Sequence, residues 1–221
     1  MPQIIYSFEG CGVANSLNRI VGGTEVIPYS IPWQVALVAE NGDSPDCGGT
    51  LIGPKHILTA AHCFYNDEGN VNVAEFDVIV GEHDVTSTAD GTRHKACGRT
   101  IHPNYNHATV DHDYAIIRLQ EAVSFDARSA PACLPNSGLP NNFLDDKTMR
   151  VSGWGSLSEE EAGPDRLHSV DVPGMSNADC RTRHGETAIT DAMFCAGRDS
   201  GGIDSCYGDS GGMLRDHFIT G

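Results

Sequence analysis

This sequence predicts an all-β fold, a barrel or a sandwich, on three observations. Short apolar runs such as Val35-Ala36-Leu37-Val38 and Val78-Ile79-Val80 sit between clusters of turn residues, the pattern of strands joined by tight loops. The chain carries 25 glycines and 11 prolines in 221 residues, which break it up too often for long helices. Apolar residues at helical spacing are hard to find along it. Hydrophobic residues make up 39% of the chain, which permits a sizeable core in one large or two small domains.

Charge and cysteine usage narrow the class. The formal net charge is −16, which excludes nucleic acid and anionic membrane as partners. No stretch is apolar enough to span a bilayer. Eight cysteines without a C-x-x-C pair point to disulfides rather than a zinc site, hence to an oxidising compartment. Eight cysteines allow about 105 pairings, so spacing alone assigns none. Met1 to Phe8 lacks both the basic start and the apolar stretch of a secretory leader. The expectation is a secreted protein whose sequence here is incomplete at its start.

Taken in order, residues 1–19 form a polar segment holding Cys11 and ending at Asn18-Arg19, followed by Ile20-Val21-Gly22-Gly23. An arginine before a β-branched pair and two glycines reads as a cleavage site on a hinge, or as an ordinary linker into a strand. Pro32 to Val38 is a strand with a buried aromatic, Trp33. After a turn at Asn41-Gly42-Asp43, Cys47 to Ile52 is its hairpin partner. Ile57 to Cys63 places small residues, Ala60 and Ala61, behind His62, as either a packed core histidine or a base. Cys63 stands where it can staple this loop to Cys47. Residues 76–80 are apolar, and the loop after them carries Glu82, Asp84 and Asp90, oxygen ligands of the type calcium takes. Calcium is the cofactor the acids allow, although their spacing fits no strong calcium motif.

His102 to His107 is a turn-rich loop leading to Asp113-Tyr114-Ala115-Ile116-Ile117-Arg118-Leu119. A carboxylate at the mouth of an apolar strand is costly to bury unpaired, so Asp113 calls for a partner such as a histidine N–H. Asp111 is the rival carboxylate, farther from the apolar run. Cys133-Leu134-Pro135 closes a first half, and 136–147 reads as a linker between two similar β halves. The second half opens with Val151-Ser152-Gly153-Trp154-Gly155, and Cys180 and Cys195 bracket a loop. Near the end stands Gly208-Asp209-Ser210-Gly211-Gly212, two residues after Cys206. Glycines let a substrate carbonyl come close to the backbone, and the amides of Gly208 and Ser210 can face a developing oxyanion. A serine hydroxyl is a weak nucleophile until a base takes its proton, so this stretch requires a histidine and a carboxylate elsewhere.

Ile20-Val21-Gly22-Gly23, Thr59-Ala60-Ala61-His62-Cys63, Asp113-Tyr114-Ala115-Ile116-Ile117, Gly153-Trp154-Gly155 and Gly208-Asp209-Ser210-Gly211-Gly212, in that order, together resemble the trypsin-like, chymotrypsin-fold serine proteases from about Arg19 onward. The resemblance implies two antiparallel six-stranded β-barrels with the active site between them, over a protease domain at 20–221 preceded by a pro-segment at 1–19. It implies a serine endopeptidase with His62 as base and then acid, Asp113 as its orienting carboxylate and Ser210 as nucleophile. Gly208 and Ser210 supply the oxyanion hole. Asp204, six residues before the serine, falls at the base of the specificity pocket and selects Arg or Lys before the scissile bond. Cleavage between Arg19 and Ile20 frees an ammonium that pairs with Asp209. The disulfides implied are Cys47–Cys63, Cys180–Cys195 and Cys11–Cys133. The partners implied are protein or peptide substrates, an activating protease and protein inhibitors.

The sequence departs from the family pattern at three points. Cys206 and Cys97 are left over, since the family partner of Cys206 lies beyond this sequence; by arithmetic they can pair, or one is a free or intermolecular thiol. Met213 stands where proline is usual and Arg215 where an apolar residue is common. The chain stops at Ile219-Thr220-Gly221, before the strand that completes the family's second barrel. The expectation is therefore a fragment with an incomplete second barrel, the alternative being a truncated, non-catalytic homologue that binds or regulates.

Overall fold

The computed structural model describes residues 10–14, 24–40, 42–66, 68–71, 76–87, 89–135, 140, 142–145, 147–156, 163–197, 209–212 and 214–216. In chain order the strands are β1 (Thr24–Glu25), β2 (Gln34–Ala39), β3 (Pro45–Gly53), β4 (His56–Thr59), β5 (Phe76–Val80), β6 (Thr92–Ile101), β7 (Ala115–Leu119), β8 (Thr148–Gly153), β9 (His168–Met175), β10 (Cys195–Ala196) and β11 (Leu214–Asp216). A single turn of 3-10 helix at His62–Phe64 follows β4, and one short helix, α1 (Asn177–His184), follows β9.

Six strands close a barrel in the order β2-β3-β4-β7-β6-β5, every neighbouring pair antiparallel. The expected hairpin at 32–52 is there, with Gln34 opposite Thr50 and Leu37 opposite Cys47. Trp33, Val35, Leu37, Leu51, Ile57, Ile117 and Leu119 fill the interior. Each such side chain, fully buried, contributes roughly 1.5–3 kcal/mol.

Two strands show why some sequences alternate and others do not. Along β7, Ala115, Ile117 and Leu119 are buried while Ile116 and Arg118 face solvent, as period-two geometry requires of a half-covered strand. Strand β2 is buried from Gln34 to Val38. Its Val35 and Leu37 join the barrel interior, and Ala36 and Val38 join a second cluster with Val26, Ile79, Trp154 and Leu167. A strand covered on both faces reads as a continuous apolar run.

The second half is a five-stranded sheet among the described residues, in the order β1-β9-β8-β11 with β10 added along β9. It is mostly β, as expected, but α1 occupies part of the loop expected between Cys180 and Cys195. The signal was present in Ser176-Asn177-Ala178-Asp179. The Ser176 hydroxyl accepts from the Asp179 amide at 3.1 Å, the N-cap bond that starts helices, and donates to the Asp179 carboxylate at 2.7 Å.

The two halves meet along β2 and β8. Ser152 Oγ donates to Gln34 Oε1 at 2.8 Å in a buried setting, and the Trp154 indole donates to the His83 carbonyl at 3.2 Å. Disulfides join Cys11 to Cys133, Cys47 to Cys63 and Cys180 to Cys195. Cys97 sits exposed at a bulge in β6 with a free thiol; Cys206 lies outside the described residues.

Candidate active site

The barrel itself brings His62 and Asp113 together. Thr59, the last residue of β4, pairs with Ala115, the first of β7. His62 comes three residues after one strand end and Asp113 two residues before the neighbouring strand start, so both fall at the same rim. Ala61 and Phe64 are buried and pin the helical turn. Cys63, through its bridge, ties that turn to β3.

The Asp113 carboxylate holds the histidine twice. Oδ1 accepts from the His62 backbone amide at 2.8 Å, and Oδ2 lies 2.6 Å from Nδ1. A carboxylate only accepts, so the ring proton sits on Nδ1 and Nε2 is left as an acceptor. The hydrogen bond donated to Asp113 raises the His62 pKa above the ordinary histidine value, burial opposes it, and the charge of Asp113 adds to the rise. The imidazole side chain is 37% exposed and the carboxylate 20%, which leaves the ring open to a ligand and the carboxylate more shielded from water.

Ser210 lies on a tight turn laid against the same rim. Gly212 N donates to Asp209 O at 2.8 Å, and Gly211 has φ +78°, the third-position geometry that favours glycine. The Ser210 carbonyl accepts from Gly48 N of β3 at 2.7 Å. Thr59 Oγ1 donates to the Gly48 carbonyl at 2.8 Å. A Cβ on Gly211 would collide with Thr59, Gly48 and Ala60. Cys63 Sγ lies 3.9 Å from the Ser210 carbonyl; a disulfide sulfur has no proton, so this is a packing contact. The serine turn therefore rests on the strand and bridge that also hold His62.

Asp209 is fixed from the second half. Its Oδ1 accepts from Gly155 N at 2.9 Å, and a Cβ on Gly153 or Gly155 would run into its carboxylate. The Gly153-Trp154-Gly155 motif thus acts in two ways: the tryptophan plugs the seam and the glycines make room for Asp209. Beside His62 and Asp113 opens a cleft of about 730 Å³, lined largely by apolar groups including Leu58, Leu134, Phe143 and Phe194.

Of the other residues expected from sequence, Arg19, Ile20, Asp204 and Gly208 lie outside the described residues. The rival carboxylate Asp111 does not touch His62 in any hydrogen bond; it accepts from Thr190 Oγ1 at 2.6 Å. The three loop acids are only partly assembled. Glu82 and Asp90 both accept from the His83 amide, at 3.2 and 3.1 Å. Asp84 instead turns to Thr86 and Arg166. Cys47, His62 and Cys63 present ligand-type atoms within 4.8 Å of one another, but the cysteines are bonded together and offer no thiolate. The inter-half bonds of Gln34 with Ser152 and of Asp111 with Thr190 were missed from sequence, since each pairs ordinary polar residues far apart along the chain.

A closed six-stranded barrel apposed to a second antiparallel sheet, with an imidazole–carboxylate pair at the seam, is the architecture of the chymotrypsin-like two-barrel proteins. The Trypsin family matches residues 20–217, and the chain belongs to that family, a class of serine endopeptidases. It is 37% identical to the venom serine protease Bi-VSP of Bombus ignitus, with 92% of this chain aligned over 59% of that protein's length. It is 35% identical to trypsin 5G1 of Aedes aegypti over 93% of this chain and 74% of that one. It is 36% identical to serine protease 1 of Rattus norvegicus over 96% and 81%. No helix among the described residues is long and apolar enough to cross a membrane.

Proposed function

We propose that the chain is a secreted, zymogen-activated endopeptidase that hydrolyses peptide bonds after Arg or Lys. The observation that carries this reading is the doubly held His62–Asp113 pair beside a serine turn seated on the same barrel rim. In the proposed cycle His62 Nε2 takes the proton of Ser210, whose Oγ attacks the scissile carbonyl. The amides of Gly208 and Ser210 hold the oxyanion, and the imidazolium, stabilised by Asp113, returns the proton to the leaving amine. Water then hydrolyses the acyl-enzyme by the same route. Asp204 selects the cationic side chain. Residues 1–19 are the pro-segment, 20–221 the protease domain, and cleavage after Arg19 frees an ammonium on Ile20 for Asp209. Protein substrates, an activating protease and protein inhibitors are the partners.

The test is to cleave the chain after Arg19 and treat it with a serine-directed phosphonate. The expected result is label on Ser210, hydrolysis of arginyl and lysyl but not phenylalanyl substrates, and an acid limb of kcat/KM above pH 6.5, the ordinary histidine value. A cleaved, folded chain that takes no label is the non-catalytic homologue instead.

Calcium is proposed as a second, separable feature on Glu82 and Asp90. Burial and the nearby Asp90 charge push Glu82 up to about 7, and a divalent cation would relieve that penalty. Calcium should raise the Tm of the wild type and leave Glu82→Gln unmoved.

A further inference from the structure

We propose that Thr190 is a positioning residue for the active site: through Asp111 it clasps the segment that aims the Asp113 carboxylate at His62. The proposal rests on the peptidase reading above for its effect on rate, and on geometry for the rest.

Asp111 stands two residues before Asp113, in a backbone that needs holding. Val110 has φ +54° and His112 φ +53°, so the residues on both sides of Asp111 are left-handed. A β-branched residue rarely takes that conformation, and such backbone persists only where its surroundings enforce it. Local ties contribute. Asn106 N donates to the Asp111 carbonyl at 3.1 Å and Tyr114 N to the His112 carbonyl at 2.8 Å. The His112 amide donates to Asp111 Oδ1 at 3.0 Å. The His112 ring lies flat on His102, with centroids 4.8 Å apart.

Thr190 adds a tie from the other half of the molecule. Its hydroxyl donates to Asp111 Oδ1 at 2.6 Å across 79 residues of chain. Thr190 Oγ1 in turn accepts from Ala192 N at 3.2 Å, so donor and acceptor roles are both used and the hydroxyl has one orientation. The arm carrying it is stiff. Asn177 of α1 donates to the Thr190 carbonyl at 3.4 Å, and Arg181 of α1 donates to the Ile189 carbonyl at 2.8 Å. Cys180–Cys195 closes the segment covalently. Helix α1 is thus the anchor, Thr190 the hook and Asp111 the eye. Through this contact the seating of the second half reaches the carboxylate that orients the base.

The test compares wild type, Thr190→Val and Thr190→Ser by two readouts. The first is turnover of an arginyl peptide substrate by the whole chain cleaved after Arg19. The second is the His62 pKa measured by NMR in the Ser210→Ala background, which needs no turnover. The titratable or charged groups that face this site include Asp113, Asp111, His102, His112, Tyr114, Tyr105, Asp191 and Arg181, and none is altered. With valine, kcat is expected to fall about tenfold with KM nearly unchanged, short of the ~10²-fold cost of a full ångström of misplacement. The His62 pKa should fall towards the ordinary value, and serine should restore both. If wild type does not turn over but the His62 pKa still falls with valine and returns with serine, the clasp stands and the peptidase reading fails. If valine leaves the His62 pKa at the wild-type value, or if serine is as damaging as valine, the clasp is overturned.

Discussion

The two sides of the cleft are held by different means. On the barrel side, His62 and Asp113 sit at the ends of hydrogen-bonded neighbouring strands and are joined by two short hydrogen bonds. On the other side, Ser210 sits in a turn whose contacts are with distant backbone: Gly48 of the barrel and, through Asp209, Gly155 of the second sheet. The imidazole–carboxylate pair is a product of strand pairing. Ser210 is placed by glycines that let three separate pieces of backbone approach. One side is set by strand pairing and by the side chains that hold Asp113, whereas the other depends on the absence of side chains.

Mutations can break each side separately. The largest effect is expected from Asp113→Asn, which removes the acceptor that fixes the Nδ1 tautomer. kcat should fall about 10⁴-fold with folding intact, measured by steady-state kinetics beside a thermal melt. Next comes Gly211→Ala. It strains the positive φ and drives a methyl into Thr59 and Gly48, so the serine turn must shift, for a loss of about 10²-fold. The His62 pKa should stay raised in that variant; if it collapses, the two sides are not independent. Ser152→Ala leaves Gln34 Oε1 buried without its donor, at a cost of about 1–3 kcal/mol in urea unfolding. The smallest effect is a pH dependence from Glu82. A carboxyl whose pKa is raised on folding keeps a proton that the unfolded chain has released, so stability falls as pH rises from about 4.5 to 7. Glu82→Gln should lose that slope, and its Tm advantage over wild type should grow across the same window.

The barrel was more legible in the sequence than the second sheet, for a physical reason. Strands β2, β5 and β7 bury aliphatic runs, and such runs announce themselves. Strand β6 was not read because it is rich in polar and charged residues, Thr92, Arg93, His94, Lys95, Arg99 and Thr100, and its apolar residues packed against the barrel core are only Ala96 and Ile101. Arg93 and Lys95 there pair with Asp77 of the neighbouring strand, and those pairs appear only once the strands are side by side. The pairing of His62 with Asp113 could be expected because a partly buried acid at a strand mouth needs a donor, and the order of the motifs named the donor. Hydrogen bonds such as Ser152 with Gln34 follow from the docking of two halves and leave no local pattern to read. Helix α1 was legible in its capping residues and was overlooked for lack of an apolar face: Cys180 is its one buried residue.

The bridge from Cys11 to Cys133 spans 122 residues and encloses every strand of the closed barrel. In mechanical terms the barrel is shunted. A pull applied at residue 11 passes across the two sulfur atoms to residue 133 and on into the second half, and the strands between carry none of it. Tension on the leading segment would therefore strain the seam between the halves before it opened the barrel, and reduction of that one bridge would reverse the order of failure.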